Sequence, residues 1–173
     1  MAHPQQVNFC QSVVDKFPSK FQNKVVYDFG SLDVNGNNRY LFYNCEYVGI
    51  DLGEGKNVDV VSKAHEFKPI KKADVCVSTE MLEHDMYWDK SLKNMLRLLK
   101  KGGVFLITCA TTGRGEHGTT NSKSPFASPF TNEYYKNISD EMFLSAVDVK
   151  LFSEYELTGN ERPYDLYFWG IKK

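Results

Sequence analysis

No stretch of the 173-residue sequence approaches the ~20 consecutive apolar residues that a membrane-crossing helix needs, so a spanning protein is excluded. Net charge is nearly absent as well. Lys and Arg number 21 against 22 Asp and Glu, so the chain lacks the broad basic field that holds nucleic acid, and nucleic acid is not expected as a partner. The first residues, MAHPQQVNFCQSVVDKF, show no basic start followed by an apolar core, and no secretion signal is read there. Cysteine is sparse: Cys10, Cys45, Cys76 and Cys109 form no C-x-x-C pair, which argues against a zinc knuckle or a thioredoxin-like site. Cys76 and Cys109 fall in apolar runs, as reduced thiols of a cytoplasmic protein would. No metal is expected. Repeats, low-complexity tracts and Pro/Gly/Ser linkers are missing too, so residues 1–173 read as one domain.

What is present is an alternation of short apolar strands with helices. Val7, Cys10, Val13, Val14 and Phe17 recur at helical spacing over 5–16, and Pro18 ends that helix. KVVYDFG (24–30), YVGID (47–51), NVDVV (57–61), ADVCVST (73–79) and VFLITCA (104–110) read as five strands, with a short helix in RYLFYN between the first two. Leu92, Met95, Leu96 and Leu99 share one face of a helix expected over 88–101, with Gly102 and Gly103 as its stop. Ser139 is placed to cap a further helix. KLFSEYELTG (150–159) and DLYFWGIK (165–172) then form a hairpin. The expected fold is α/β: three layers around a Rossmann-like, mostly parallel sheet that carries a C-terminal antiparallel hairpin.

In an open parallel sheet a ligand binds at the carboxyl ends of the strands. The first strand ends Asp28-Phe29-Gly30-Ser31, where Gly30 lets backbone approach a ligand and Asp28 supplies a carboxylate. A pyrophosphate would avoid that carboxylate, whereas an amine or sulfonium would be drawn to it. Asp51 closes the second strand about twenty residues after that loop, where an acid can accept both hydroxyls of a ribose. The fourth strand runs into Ser78-Thr79-Glu80-Met81-Leu82-Glu83-His84-Asp85, which sets three carboxylates and an imidazole at a strand end. His84 is a candidate proton acceptor.

Asp28-x-Gly30, Asp51, STEMLEHD and a helix ending LLKKGGVFLITCA, taken in this order, resemble class I S-adenosylmethionine-dependent methyltransferases, and among them the small type 11 group. The resemblance covers about residues 24–112. It implies S-adenosylmethionine as cofactor, with Asp28, Gly30 and Ser31 along its methionine part. Asp51 would take the ribose hydroxyls, Leu52 would lie beside the adenine, and Ala64 and His65 would border that ring. Ser78, Thr79 and Glu80 would face the methionine end, and Glu83 and His84 the acceptor. One departure stands out: Ser31, Leu32 and Asp33 follow Gly30 where the family commonly repeats glycine, and the next glycine is Gly36.

The polar stretch after the fifth strand, 111–137, is long enough to overhang a methyl donor. It brings His117 as an alternative base, and Arg114, Tyr134 and Tyr135 as acceptor-binding candidates. Phe126, Phe130, Tyr134 and Tyr135 would anchor it to the body. The expected reaction is methyl transfer to a small-molecule or glycan-type acceptor. Two other classes stay open: a non-catalytic partner subunit that binds the same cofactor, and a nicotinamide-dependent oxidoreductase, which the missing G-x-G-x-x-G disfavours. Aminopropyl transfer shares the fold and nothing more. A homodimer through the hairpin is expected if the face near residues 164–169 is exposed and apolar. His3 is read as a tail residue, and the lysines at 68–72 and 93–101 as solvated faces.

Overall fold

The computed structural model describes residues 3–123 and 128–173. Seven strands form one sheet: β1 (Val25–Phe29), β2 (Glu46–Asp51), β3 (Val60–Val61), β4 (Ala73–Thr79), β5 (Leu99–Ala110), β6 (Phe152–Gly159) and β7 (Asp165–Lys172). Their spatial order is β3-β2-β1-β4-β5-β7-β6. The first five are parallel neighbours, and β7 runs antiparallel to both β5 and β6. Strand order therefore reverses between β1 and β4, where a ligand crevice opens in such sheets.

Alternation along each strand builds the two faces. Val26, Val75, Val77, Val104, Leu106 and Trp169 point to one side, where Cys10 and Val13 of α1 (Pro4–Lys16) cover them. Tyr27, Phe29, Cys76, Phe105, Ile107 and Phe168 point to the other, beneath Leu92, Met95 and Leu96 of α2 (Trp88–Leu98) and Phe143 of α3 (Asp140–Ala146). The result is the expected three layers. Ser139 caps α3 by accepting the Met142 N–H. No helix among the described residues is long and apolar enough to cross a membrane.

Several boundaries differ from expectation. RYLFYN forms only a 3-10 turn, Arg39–Leu41, and the third strand shrinks to two residues. α2 stops at Leu98, before the two glycines, because Leu99 already pairs with Ala73 as the start of β5. The glycines instead sit in an irregularity of that strand, where Gly102 has φ +72°. Of the hairpin face near residues 164–169, Tyr164 is exposed and the rest is covered. Leu166, Tyr167, Phe168 and Trp169 are buried, and Phe17 and Lys16 of the α1 end pack on the Trp169 ring. One edge of the sheet is β6, which carries Glu154 and Glu156, charges that discourage edge-to-edge pairing.

Candidate functional site

A cavity of about 540 Å³ opens at the carboxyl ends of β1, β2 and β4, at the reversal of strand order. Its floor begins at Gly30, which has φ +81° and lies so close to Met81 that a Cβ would stand 2.5 Å from the Met81 Cβ and Cγ. Only glycine satisfies both conditions. The Gly30 and Ser31 N–H groups donate to the Ile50 carbonyl, which locks the loop to β2.

Asp33 does the work of the missing glycines. Its carboxylate accepts the Gly36 N–H at 2.8 Å and the Asn37 amide at 2.9 Å, and pairs with Lys56 at 2.8 Å. Those three partners, Lys56 foremost, hold its carboxyl down to about 2. The loop is thus fixed by hydrogen bonds in place of a tight glycine turn.

Asp28 is fully buried, yet it faces the cavity. Asn38 donates to both its oxygens, at 3.1 and 3.3 Å, and the Tyr47 hydroxyl donates to one. Burial outweighs these donors and pushes its carboxyl up to about 6. Asp51 accepts the Leu32 N–H at 2.9 Å on one oxygen and the Leu52 N–H at 2.7 Å on the other. The Gly53 N–H lies beside it as well, and the acceptor capacity left on its carboxylate faces the cavity. Burial raises its pKa as well. Glu80 has φ +53° and one oxygen bonded to Thr108; burial, then Glu83 and Asp165, push it up to about 8.

Nine of the ten residues expected to hold a cofactor line this cavity: Asp28, Gly30, Ser31, Asp51, Leu52, Ala64, His65, Thr79 and Glu80. Ser78 does not. Its side chain turns into the core and donates to the Phe29 carbonyl at 2.8 Å, tying β4 to β1. The walls also include Gln6 of α1, Asn38 and Tyr87, none of which the sequence pointed to, and Phe130, expected as an anchor of the loop after β5. Asn38 bridges Asp28 and Thr79, a contact between strand ends that no local pattern encodes. Phe130 arrives from the loop after β5 and presses its ring against Gly53, where a Cβ would stand 2.3 Å from it.

The expected acceptor group divides in two. His84 stands in the cavity wall, its Nε2 2.8 Å from the Ser128 hydroxyl. Burial drives it down to about 4. Glu83 and His117 lie behind it, outside the wall, with His117 also lowered to about 4 by burial. Arg114 turns away altogether and donates to the Pro163 carbonyl and to Asp165 at the start of β7. Tyr135 stacks edge-on against both histidine rings and donates to Asn137. Tyr134 is half-buried and does not line the cavity. Phe126 lies outside the described residues. His3, read as a tail residue, is instead the N-cap of α1, with its Nε2 2.6 Å from Asp165.

Residues 28–107 match a family model described as a methyltransferase domain, type 11. No curated protein matches the chain. Among solved structures the chain is similar to the 1,6-didemethyltoxoflavin N1-methyltransferase of Burkholderia thailandensis, crystallised with 1,6-didemethyltoxoflavin and S-adenosylhomocysteine. That match covers 98% of this chain and 79% of that one, with 14% identity and a TM-score of 0.69. It is also similar to phosphoethanolamine N-methyltransferase 2 of Haemonchus contortus, in complex with phosphomonomethylethanolamine and S-adenosylhomocysteine. There the match covers 95% of this chain and 52% of that one, at 16% identity and a TM-score of 0.64. A third is the N-methyltransferase NodS of Bradyrhizobium japonicum WM9 with S-adenosylhomocysteine: 98% and 88% covered, 12% identity, TM-score 0.63. At these identities the likeness is one of fold.

Proposed function

We propose that this chain, which carries a type 11 methyltransferase domain over residues 28–107 on the Rossmann-like methyltransferase fold, transfers a methyl group from S-adenosylmethionine to the nitrogen of a small-molecule acceptor. One observation carries the reading. Asp28, Asp51 and Glu80 face a single cavity, and burial raises the pKa of all three. Carboxylates in that condition lack a compensating charge, and a cationic guest supplies it. The ammonium and sulfonium of the cofactor are such cations. A dinucleotide pyrophosphate would add charge of the wrong sign, which counts against the nicotinamide reading.

The residues divide the cofactor between them. Asp51 offers its remaining acceptor capacity to the ribose hydroxyls. Leu52, Ala64 and His65 border the adenine. Asp28 and Glu80, with the backbone at Gly30, hold the methionine end. When bound, S-adenosylmethionine supplies a sulfonium methyl for in-line displacement. The chain contributes mainly by holding donor and acceptor in near-attack geometry while Phe130 and α1 restrict water. His84, held near a pKa of about 4, is a weak base. A neutral amine nitrogen needs none, because it is already a nucleophile. The three N-methyltransferases that share this fold support the choice of a nitrogen acceptor.

Calorimetric titration with S-adenosylmethionine, S-adenosylhomocysteine and NAD, beside an Asp51→Ala variant, tests the cofactor. Saturable binding of the first two that is lost in the variant is expected, and binding of NAD alone would overturn the reading. Release of S-adenosylhomocysteine in the presence of small amines, set against matched alcohols and glycans, tests the acceptor. Turnover confined to the alcohols or glycans would overturn the choice of nitrogen.

A further inference from the structure

We propose that Glu83, His84 and His117 hold one divalent first-row transition-metal ion beside the cavity. One carboxylate oxygen of Glu83 and one ring nitrogen from each histidine lie within 4.8 Å of one another. The sequence hides this grouping. Glu83 and His84 are neighbours in the turn after β4, whereas His117 is delivered by the loop after β5, so no metal-ligand spacing appears.

Glu83 is the strongest single sign. It is 0% exposed, and among the described residues no side chain donates a hydrogen bond to either carboxylate oxygen, its own N–H and that of Ala110 being the donors beside it. Among the described residues no Lys or Arg pairs with it. Arg114, carried by the same loop as His117, is engaged by Asp165 and the Pro163 carbonyl. A carboxylate left this way is costly unless a cation or a proton meets it. Meanwhile the Glu83 backbone carbonyl accepts the Lys136 N–H at 2.8 Å, which fastens the loop to this turn.

His117 is oriented as a ligand. Its Nδ1 lies 3.1 Å from the Gly115 carbonyl, which can only accept, so the proton sits on Nδ1. That leaves a lone pair on Nε2, which is buried and unpartnered, 3.9 Å from Glu83 Oε1. Two acceptors thus face each other across a gap too wide for a hydrogen bond. The gap suits an ion, since ligands at ~2.0–2.2 Å from one metal stand roughly 3–4 Å apart. A backbone carbonyl on the far imidazole nitrogen is the support that metal-bound histidines commonly have. His84 is oriented in turn by Ser128 at Nε2, while its Nδ1 lacks a hydrogen-bond partner, and the Tyr135 ring packs on both imidazoles.

Two imidazoles and one carboxylate select zinc, cobalt, manganese or iron over magnesium or calcium, which prefer all-oxygen sites. With three protein ligands, a further coordination position is left for water or an acceptor group. His84 belongs to both the triad and the cavity wall, so the ion stands next to the place where the acceptor would bind. A second trio, His3, Glu80 and Asp165, is less suited. There His3 and Arg114 already compensate Asp165.

Titration of the EDTA-stripped full chain with Co²⁺ tests the proposal, followed by visible ligand-field absorption and calorimetry. One Co²⁺ per chain is expected, with bands that Zn²⁺ abolishes by displacement. Glu83→Gln and His117→Asn should each weaken Co²⁺ binding about tenfold or more, while His3→Gln leaves it unchanged. Circular dichroism of the metal-free variants must match the wild type, which separates loss of a ligand from loss of fold. His117→Asn, at the less buried position, is the variant to rely on should Glu83→Gln unfold. Absence of saturable Co²⁺ binding would overturn the site and would mean that Glu83 is protonated instead. Binding that survives His117→Asn, or that is lost with His3→Gln, would overturn it equally.

Discussion

His3 Nε2 lies 2.6 Å from Asp165 Oδ2, so the residue that caps α1 is paired with the first residue of β7. This pair closes one side of the cavity, because α1 places Gln6 and Val7 in its wall. Burial works against the His3 imidazolium, yet the Asp165 carboxylate outweighs it and raises the pKa above the ordinary 6.5. A histidine with a raised folded-state pKa stabilises fully below its unfolded value and loses that contribution as pH rises through the folded one. His3→Ala should therefore cost about 2 kcal/mol near pH ~6, the order of a charge-assisted hydrogen bond, or roughly 4–8 °C in Tm. Near pH ~9 the difference between the two proteins should shrink. Thermal unfolding of both at the two pH values checks this, and a difference that grows with pH would contradict the pairing.

Gly30→Ala should destabilise the protein by roughly 2 kcal/mol or more, because φ +81° is strained for alanine and the new Cβ meets Met81 at 2.5 Å. Adding Met81→Ala should not rescue it. The clash involves the Met81 Cβ, which alanine retains, and the backbone strain is untouched. Denaturant midpoints of the single and double variants decide the point; recovery in the double variant would mean that the Met81 side-chain end, and not the backbone path, sets the requirement.

The readable part of the site is the part carried by strand ends. Asp28, Gly30, Asp51 and Glu80 each follow an apolar run, and a parallel sheet brings such ends together whatever joins them. Side chains whose direction depends on a distant segment were not readable. Arg114 looks like an acceptor anchor until β7, some fifty residues later, presents Asp165 to it. Asn38 is fixed at the cavity by the strand residue Asp28, and Phe130 reaches it through a contact between loops. Gly102 and Gly103 looked like a helix stop, but the pairing of Leu99 with Ala73 ended α2 first. Asp33, which breaks the glycine pattern, proved to be its substitute, since hydrogen bonds to Gly36 and Asn37 rigidify the same loop.

Asp51→Asn should weaken S-adenosylmethionine binding ten- to a hundredfold, about 1.4–2.8 kcal/mol. Asparagine keeps the size but replaces one acceptor oxygen with a donor, so it cannot hold the Leu32 and Leu52 N–H groups and also accept two hydroxyls. Calorimetry on the variant, with amide exchange at Leu32 as a probe of the loop, checks both halves of the claim. A change of less than about twofold would remove Asp51 from the ribose.

Asp28 makes cofactor binding depend on pH in a direction that can be worked out beforehand. Its carboxyl is raised by burial from 3.8 to about 6, so the empty folded protein binds a proton there more tightly than the unfolded chain does. The free protein should accordingly gain stability from this group as pH falls from about 6 towards 4. A cationic cofactor needs the ionised form, so its affinity should fall over the same window, by up to about tenfold per pH unit for one proton. Stability and affinity should thus move in opposite directions. Asp51 and Glu80 share the cavity and are also raised, so Asp28→Asn should not abolish the slope. It should instead lower the number of protons displaced on binding by about one. Titrations with S-adenosylmethionine across this range, in buffers of differing ionisation enthalpy, count those protons. An unchanged count in the variant would place the cofactor's positive end away from Asp28.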